Sequence, residues 1–139
     1  MKIIKKILIV IVVLFVLFLI AGIFVKKEYT VEREITINKP KQEVFDYIKF
    51  LKNQNDFSKW AQMDPNMKKE YRGTDGSVGF VSSWDSDNKD VGKGEQEIIK
   101  INEDERIDSE LRFEKPFKNT SYASFVMQGV SADQTKVNW

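Results

Sequence analysis

The sequence predicts an α+β protein in which an antiparallel β-sheet, with two short helices after its first strand, follows one membrane-spanning helix. Three observations support this fold class. Residues 7–25 form an unbroken apolar run. An alternating segment is followed by a proline-started amphipathic stretch and then by an aromatic one. From residue 68 onward the pattern changes to the period of two that is typical of strands.

The apolar run, ILIVIVVLFVLFLIAGIFV, has no charge, amide or hydroxyl. A helix of this length spans about 28 Å, close to the thickness of a bilayer's hydrocarbon core. A cleaved signal peptide would have a shorter apolar region and a small-x-small site, which Ala21-Gly22-Ile23 lacks. A lipoprotein signal would need a cysteine, and the chain has none. We therefore expect residues 1–27 to be a membrane anchor that spans the bilayer at about 7–25.

The lysines around this run bear on its orientation. Three of them precede it and favour a cytoplasmic amino terminus, whereas five basic residues follow it and weaken that preference (Lys26, Lys27, Arg33, Lys39 and Lys41). Long domains cross membranes largely regardless of charge. We expect a single-pass membrane protein whose domain, residues 28–139, lies on the far side of the membrane.

Composition narrows the function classes. Five of the 22 basic residues flank the apolar run, so 17 remain in the domain with all 21 acidic residues, a net charge of −4. This balance argues against nucleic acid as a partner. The absence of histidine and cysteine removes the usual ligands of zinc, copper and haem, thiol nucleophiles and imidazole-based triads. No cofactor is predicted.

The first elements of the domain follow from local patterns. Residues 29–37 alternate as a strand with one buried face, and Asn38-Lys39-Pro40 ends it. Pro40 suits a first helical turn, and Val44, Ile48 and Leu51 then recur at helical spacing. A second short helix is predicted over residues 54–60.

The rest of the domain is predicted to be antiparallel strands over residues 69–72, 77–85, 95–102, 107–114, 122–128 and 135–139. In the central hairpin, Ile101 opposite Ile107 would place Lys100 opposite Asp108 and Ile99 opposite Ser109. The predicted buried face of this hairpin comprises Ile99, Ile101, Ile107, Leu111 and Phe113. A sheet that is apolar on one face must be covered, and two short helices are too small for this. We expect the covering element to be missing and the chain to be truncated at its carboxy terminus.

This order of elements resembles the SRPBCC superfamily, also called the START-like or helix-grip fold, and within it the polyketide cyclase/dehydratase branch. The resemblance rests on VEREITINKPKQEVFDYI, FSKWAQMDP, GTDGSVGFVSSWDSD followed by VGKGEQEIIKI, RIDSELRFEKPF and TKVNW. It implies a curved antiparallel sheet that grips a long carboxy-terminal helix, with an apolar cavity between the two. The gripped helix is absent from this sequence.

Seven apolar side chains are candidates for lining such a cavity, because their pattern or the resemblance directs them to the concave face of the sheet. Ordinary core packing is the competing interpretation. The two tryptophans are favoured, since a buried indole N–H needs a hydrogen-bond partner that a cavity rim can supply. The candidates are Phe57, Trp60, Phe80, Trp84, Phe113, Phe125 and Met127.

Several acidic residues are candidates for catalytic or metal-binding groups. Asp85, Asp87 and Asp90 lack the spacing of a calcium loop and indicate a solvated loop, so no metal site is predicted. Glu95 and Glu97 fall on the predicted buried face and could act as an acid or base if desolvated. An exposed strand end is the favoured explanation, because glutamate is rarely buried. No catalytic residue is assigned.

The leading functional hypothesis is a membrane-anchored domain that binds an apolar or amphiphilic small molecule, or a lipid, beside the bilayer. One alternative is an enzyme of the cyclase/dehydratase type that uses a carboxylate or tyrosine in its pocket. The other is a ligand-free protein-interaction or stress-sensing domain. Burial of Glu95 or Glu97 in a cavity would favour the enzyme.

Overall fold

A computed structural model describes residues 2–24 and 29–139 of the chain. The chain divides into two compact units, Met1–Val31 and Glu32–Trp139. Each unit is described by itself.

The first unit contains helix α1, Lys2–Phe24. Its stretch Ile3–Phe24 is long and apolar enough to cross a membrane. Every residue in that stretch is exposed, and from Ile7 to Phe24 there is no polar face, as expected of a helix that is solvated by lipid. The helix begins five residues before the predicted span of 7–25, and Val25 lies outside the described residues.

The second unit is built on one seven-stranded antiparallel sheet with the strand order β1-β7-β6-β5-β4-β3-β2. The curved antiparallel sheet that the sequence predicts is confirmed. Its strands are β1 Glu34–Ile37, β2 Lys68–Arg72, β3 Val81–Asp85, β4 Lys93–Asn102, β5 Arg106–Lys115, β6 Asn119–Ser131 and β7 Gln134–Asn138.

The first strand is shorter than predicted, because regular pairing begins at Glu34 and not at Tyr29. Arg33 continues the ladder by exchanging two backbone hydrogen bonds of 2.8 Å with Trp139. Residues 29–32, which precede it, have no regular secondary structure.

Short helices connect β1 to β2. Helix α2, Lys41–Ile48, begins directly after Pro40, as predicted. The predicted third turn at Leu51 is a separate 3₁₀ turn, Leu51–Asn53, because Phe50 adopts an extended conformation (φ −84°, ψ 112°). The predicted helix over residues 54–60 is divided at Ser58 into α3, Gln54–Phe57, and α4, Lys59–Met63. Ser58 is also extended and caps α4 by accepting a hydrogen bond from the Ala61 N–H.

The hydrophobic core lies between the first helical segments and one face of the sheet, which we call the inner face. Val44, Phe45 and Ile48 of α2 and Leu51 of the 3₁₀ turn supply the helical side of this core. The sheet supplies Phe80, Ile98, Ile107, Phe125, Met127 and Val137. Burial of these side chains fixes which residues of the strands that carry them point inward.

A β-bulge in β4 changes the predicted orientation of half of that strand. Ile101 pairs with Ile107 and Lys100 with Asp108, as predicted, but Ile98, not Ile99, pairs with Ser109. The register shifts between Ile98 and Lys100, so Ile99 is the additional residue. Ile98 is therefore fully buried, whereas Ile99 is 41% exposed and the prediction that it is buried is wrong.

The bulge predicts that substitutions at two adjacent isoleucines have very different effects on stability. We expect Ile98→Ala to lower the free energy of unfolding by about 2–5 kcal/mol, because it leaves a cavity in the core. Ile99→Ala should change it by less than about 1 kcal/mol, since this side chain already faces water. Urea unfolding of the full chain in non-ionic micelles, followed by circular dichroism, measures both, and equal losses would contradict the bulge.

Candidate functional site

A cavity of about 220 Å³ lies between helices α3 and α4, here called the lid helices, and the inner face of the sheet. Apolar and uncharged polar side chains dominate its lining. The lining residues are Leu51, Gln54, Asn55, Ser58, Trp60, Ala61, Met67, Lys69, Ser82, Ser83, Trp84, Val91, Gln96, Leu111, Phe113 and Trp139.

Two aspartates fasten the segment that carries the lid helices to the sheet. The Asp75 carboxylate, in the β2–β3 loop, accepts hydrogen bonds from the backbone N–H groups of Leu51 (2.8 Å) and Lys52 (3.2 Å). At the other end, Asp64 accepts a hydrogen bond from the Ser86 hydroxyl in the β3–β4 loop. The segment is therefore held at both ends, and the space beneath it is the cavity.

Two aromatic rings form one wall of the cavity. The Trp84 and Phe113 rings meet edge to face, with centroids 5.8 Å apart, and the Trp84 indole N–H donates to the Val91 carbonyl (3.3 Å). Gly94 lies between them on β4, paired with Trp84 on one side and Phe113 on the other. A Cβ there would come within 2.8 Å of the indole and 2.6 Å of the Arg112 carbonyl. The absence of a side chain at this position allows the two rings to meet.

Two other tryptophans mark where the cavity is open to solvent. Trp60 on α4 is 53% exposed and Trp139 is 51% exposed, yet both line the cavity. The Trp139 ring stacks on Phe125, with centroids 5.5 Å apart and planes 6° from parallel. The cavity thus has an aromatic rim as well as an aromatic wall.

The structure brings three of the seven predicted site residues together: Trp60, Trp84 and Phe113 line the cavity. The other four do not line it. Phe80, Phe125 and Met127 are buried in the core beneath α2. Phe57 packs against Tyr47 and Phe125, at centroid distances of 6.5 Å.

Sequence reasoning missed the polar side of the cavity. Ser82, between Phe80 and Trp84, was a recognisable signal, because it is a polar residue on an otherwise apolar face. Lys69 gives no such signal, because its place on the inner face follows from its pairing with Trp84, which only the structure shows. Gln96 gives none either, because only the bulge turns it inward.

Glu95 and Glu97 lie on the opposite, outer face, because the bulge reverses the predicted orientation of this part of β4. The Arg112 guanidinium contacts Glu95 (2.8 Å), Glu97 (2.8 Å) and Glu110 (2.6 Å). Arg72 binds the second oxygen of Glu95 at 2.7 Å. The prediction that these two glutamates share the buried face is wrong.

This cluster affects the ionisation of Glu95. The Arg72 guanidinium, and with it that of Arg112, holds the pKa of the Glu95 carboxyl below its usual value, although partial burial acts in the opposite direction. Because its pKa is depressed in the folded state, Glu95 contributes stability at neutral pH that is lost as the pH falls below its ordinary pKa. The cluster therefore stabilises the outer face of the sheet and does not contribute to the cavity.

No carboxylate lines the cavity among the described residues, and no group of three or more Asp or Glu side chains in that part of the chain could hold a metal ion. A second, open groove of about 460 Å³ lies near the β4–β5 turn. Charged and polar residues such as Lys41, Glu105 and Arg106 line much of it. The smaller cavity is the better candidate site, because apolar walls with a few polar groups are typical of ligand pockets.

Solved structures share this fold. The Aha1 dimer from Colwellia psychrerythraea is 11% identical, with a TM-score of 0.53 over 80% of this chain and 73% of that one. Mll3558 from Rhizobium loti is 20% identical, with a TM-score of 0.56 over 79% and 74%. Ara h 8.0201 is 16% identical, with a TM-score of 0.53 over 79% and 74%. The domain has a helix-grip fold.

No protein-family model matches the chain, and no curated protein matches it significantly. At identities of 20% or less, the similar structures establish the fold alone. The site must therefore be interpreted from its own residues.

The position of Gly94 can be tested with a matched pair of glycines. We expect Gly94→Ala to destabilise the domain by about 1–3 kcal/mol and to shift its tryptophan emission, because the new methyl group overlaps the Trp84 indole and a backbone carbonyl. Gly129→Ala in β6 is the control, since a Cβ there meets nothing within 4 Å. Thermal unfolding and fluorescence of the two variants, measured side by side, should differ. Identical behaviour would contradict the close approach at Gly94.

Proposed function

We propose that this chain is a membrane-anchored binding protein that holds an apolar or amphiphilic small molecule in the cavity beneath the lid helices. The observation that carries the proposal is the cavity itself, with the Trp84–Phe113 wall on one side and uncharged polar groups such as Gln54 and Gln96 on the other. Such a combination buries an apolar body and orients a polar end.

The cavity volume limits the ligand. At about 220 Å³, the space is below the roughly 300–1,000 Å³ that is usual for ligand pockets. The ligand is therefore a small molecule, or one part of a larger amphiphile whose remainder passes the exposed rim at Trp60 and Trp139. An aromatic rim suits this, because indoles contact both apolar chains and water.

Helix α1 supports the membrane part of the proposal, since Ile3–Phe24 has the length and composition of a span. The lysines at positions 2, 5 and 6 favour an amino terminus in the cytoplasm. We propose that the domain lies across the membrane from it. Nine residues separate Phe24 from Glu34, the first residue of β1, so a fully extended tether would reach about 36 Å at most.

Two alternatives gain no support from the site. An enzyme of the polyketide cyclase/dehydratase type would need a carboxylate or a tyrosine in the pocket. No described carboxylate or tyrosine lines the cavity, and Glu95 and Glu97 are paired with arginines on the outer face. A protein-interaction role has no observation of its own and is an outcome of the binding test below.

The membrane arrangement can be tested because the chain contains no cysteine. In intact cells that express Asp133→Cys, located in the exposed β6–β7 turn, we expect labelling by a membrane-impermeant maleimide. Ile3→Cys should be labelled only after permeabilisation. The full chain should remain in the membrane pellet after carbonate extraction. Release of uncleaved chain by carbonate would refute the anchor, and the reverse labelling pattern would refute the orientation.

The binding proposal can be tested by photolabelling the full chain in non-ionic micelles with benzophenone. We expect adducts on peptides that contain Trp84 or Phe113. Trp84→Leu should lower that labelling by about two- to twelvefold, since an aromatic contact contributes ~0.5–1.5 kcal/mol. Tyr122→Leu, an exposed aromatic residue on the outer face, is the matched control.

Native mass spectrometry of the membrane-purified protein complements the labelling. A bound small molecule or lipid that is lost in Trp84→Leu would support the proposal. A cavity that is always empty and never labelled, together with a stoichiometric protein partner, would replace it with the protein-interaction role.

A further inference from the structure

Lys69 differs in kind from every other side chain that lines the cavity. Among the described lining residues it is the only one that carries a charge. It lies on β2 directly opposite Trp84 of β3, so its side chain leaves the sheet on the inner face beside the aromatic wall. Its neighbours along the strand, Lys68 and Glu70, alternate to the outer face.

The ammonium group of Lys69 has no acidic partner in the described part of the chain. No carboxylate there lies within 4.0 Å of it, although ten ion pairs are formed elsewhere, most of them on the outer face or in loops. The residue is partly buried. A cation that is withdrawn from water without a counter-charge raises the free energy of the folded state, and an anion in the cavity would lower it.

A second donor is available in the same cavity. The amide Nε2 of Gln54, on lid helix α3, is buried and has no hydrogen-bond partner among the described residues. An unsatisfied buried N–H group is uncommon and needs an acceptor. The cavity lining therefore includes one cationic side chain and one unpaired amide donor, and no acidic side chain among the described residues opposes an anion there.

We propose that the cavity is selective for a ligand with an acidic head group, a carboxylate or a phosphate or sulfate ester, which binds Lys69 while its apolar part rests on Trp84 and Phe113. This rests on the proposed binding function and specifies its ligand class. The domain as a whole has a net charge of −4, which disfavours anions at long range. Selectivity for an acid must therefore come from the local contact with Lys69.

The experiment uses two photoreactive probes of matching shape: 4-benzoylbenzoate, which is anionic, and its neutral methyl ester. Each is titrated into the full chain in non-ionic micelles, and the half-saturating concentration for labelling of the cavity peptides is measured by mass spectrometry. We expect Lys69→Met to raise that concentration about tenfold for the acid, because the substitution removes one charge-assisted hydrogen bond. The value for the ester should change by less than about twofold. Lys69→Arg should retain the preference for the acid.

Lys68→Met is the matched control, because it removes the same charge from the same strand on the opposite face. It should leave both titrations unchanged. Equal affinity of the wild-type chain and Lys69→Met for the acid would overturn the selectivity while the proposed binding function stands. An equal loss of affinity for the acid and the ester in Lys69→Met would also overturn the selectivity, because it would indicate a loss of packing. If neither probe labels the cavity of the wild-type chain, the proposed function itself fails.

Discussion

The bulge at Ile99 is the constraint on which the arrangement of the domain depends. One additional residue in β4 places Ile98 in the core and reverses the inward and outward faces of the strand before it. As a result Gly94 and Gln96 face the cavity, whereas Glu95 and Glu97 face outward. Without this shift the inner face of β4 would carry two carboxylates beside Trp84, and the cavity would have a different chemistry.

The two faces of the sheet separate charge from aromatic surface. On the outer face, Arg112 links three glutamates, and Arg106 and Asp108 form a further pair that also contacts Ser124. Such pairs are individually weak in water. Their combined effect is to keep this face polar, whereas the cavity lies on the inner face. The apolar inner face accordingly carries both the core and the cavity.

Much of the fold follows from periodicity, because burial enforces it. The seven strands, the helix after Pro40 and the pairing of Ile101 with Ile107 were all predicted, since each is required to bury one apolar face. The bulge was not predicted, because Ile98 and Ile99 are the same residue type and either could face inward. The lid helices are divided at Ser58 because its side chain caps the start of α4, which favours a new helix there over the continuation of α3.

The site was less predictable than the fold for a physical reason. An aromatic residue on the inner face satisfies the sequence pattern equally well in the core and at a cavity, so Phe80 and Trp84 look alike in the sequence. Only tertiary packing separates them: Phe80 is buried in the core cluster, whereas the lid helices leave space over Trp84. The polar groups that distinguish a binding site from a core, such as Gln54, come from a segment without a clear period.

The attachment of the lid helices by Asp75 and Asp64 has a kinetic consequence. Both fastenings are polar contacts made to loops, and the exposed aromatic side chains of α3 and α4 add little buried surface. Local opening of this segment would therefore require much less free energy than unfolding of the β-core. For the ligand proposed above, exchange would then require only the release of the Asp75 and Asp64 contacts. Its residence time would be set by this local opening and not by the stability of the whole domain.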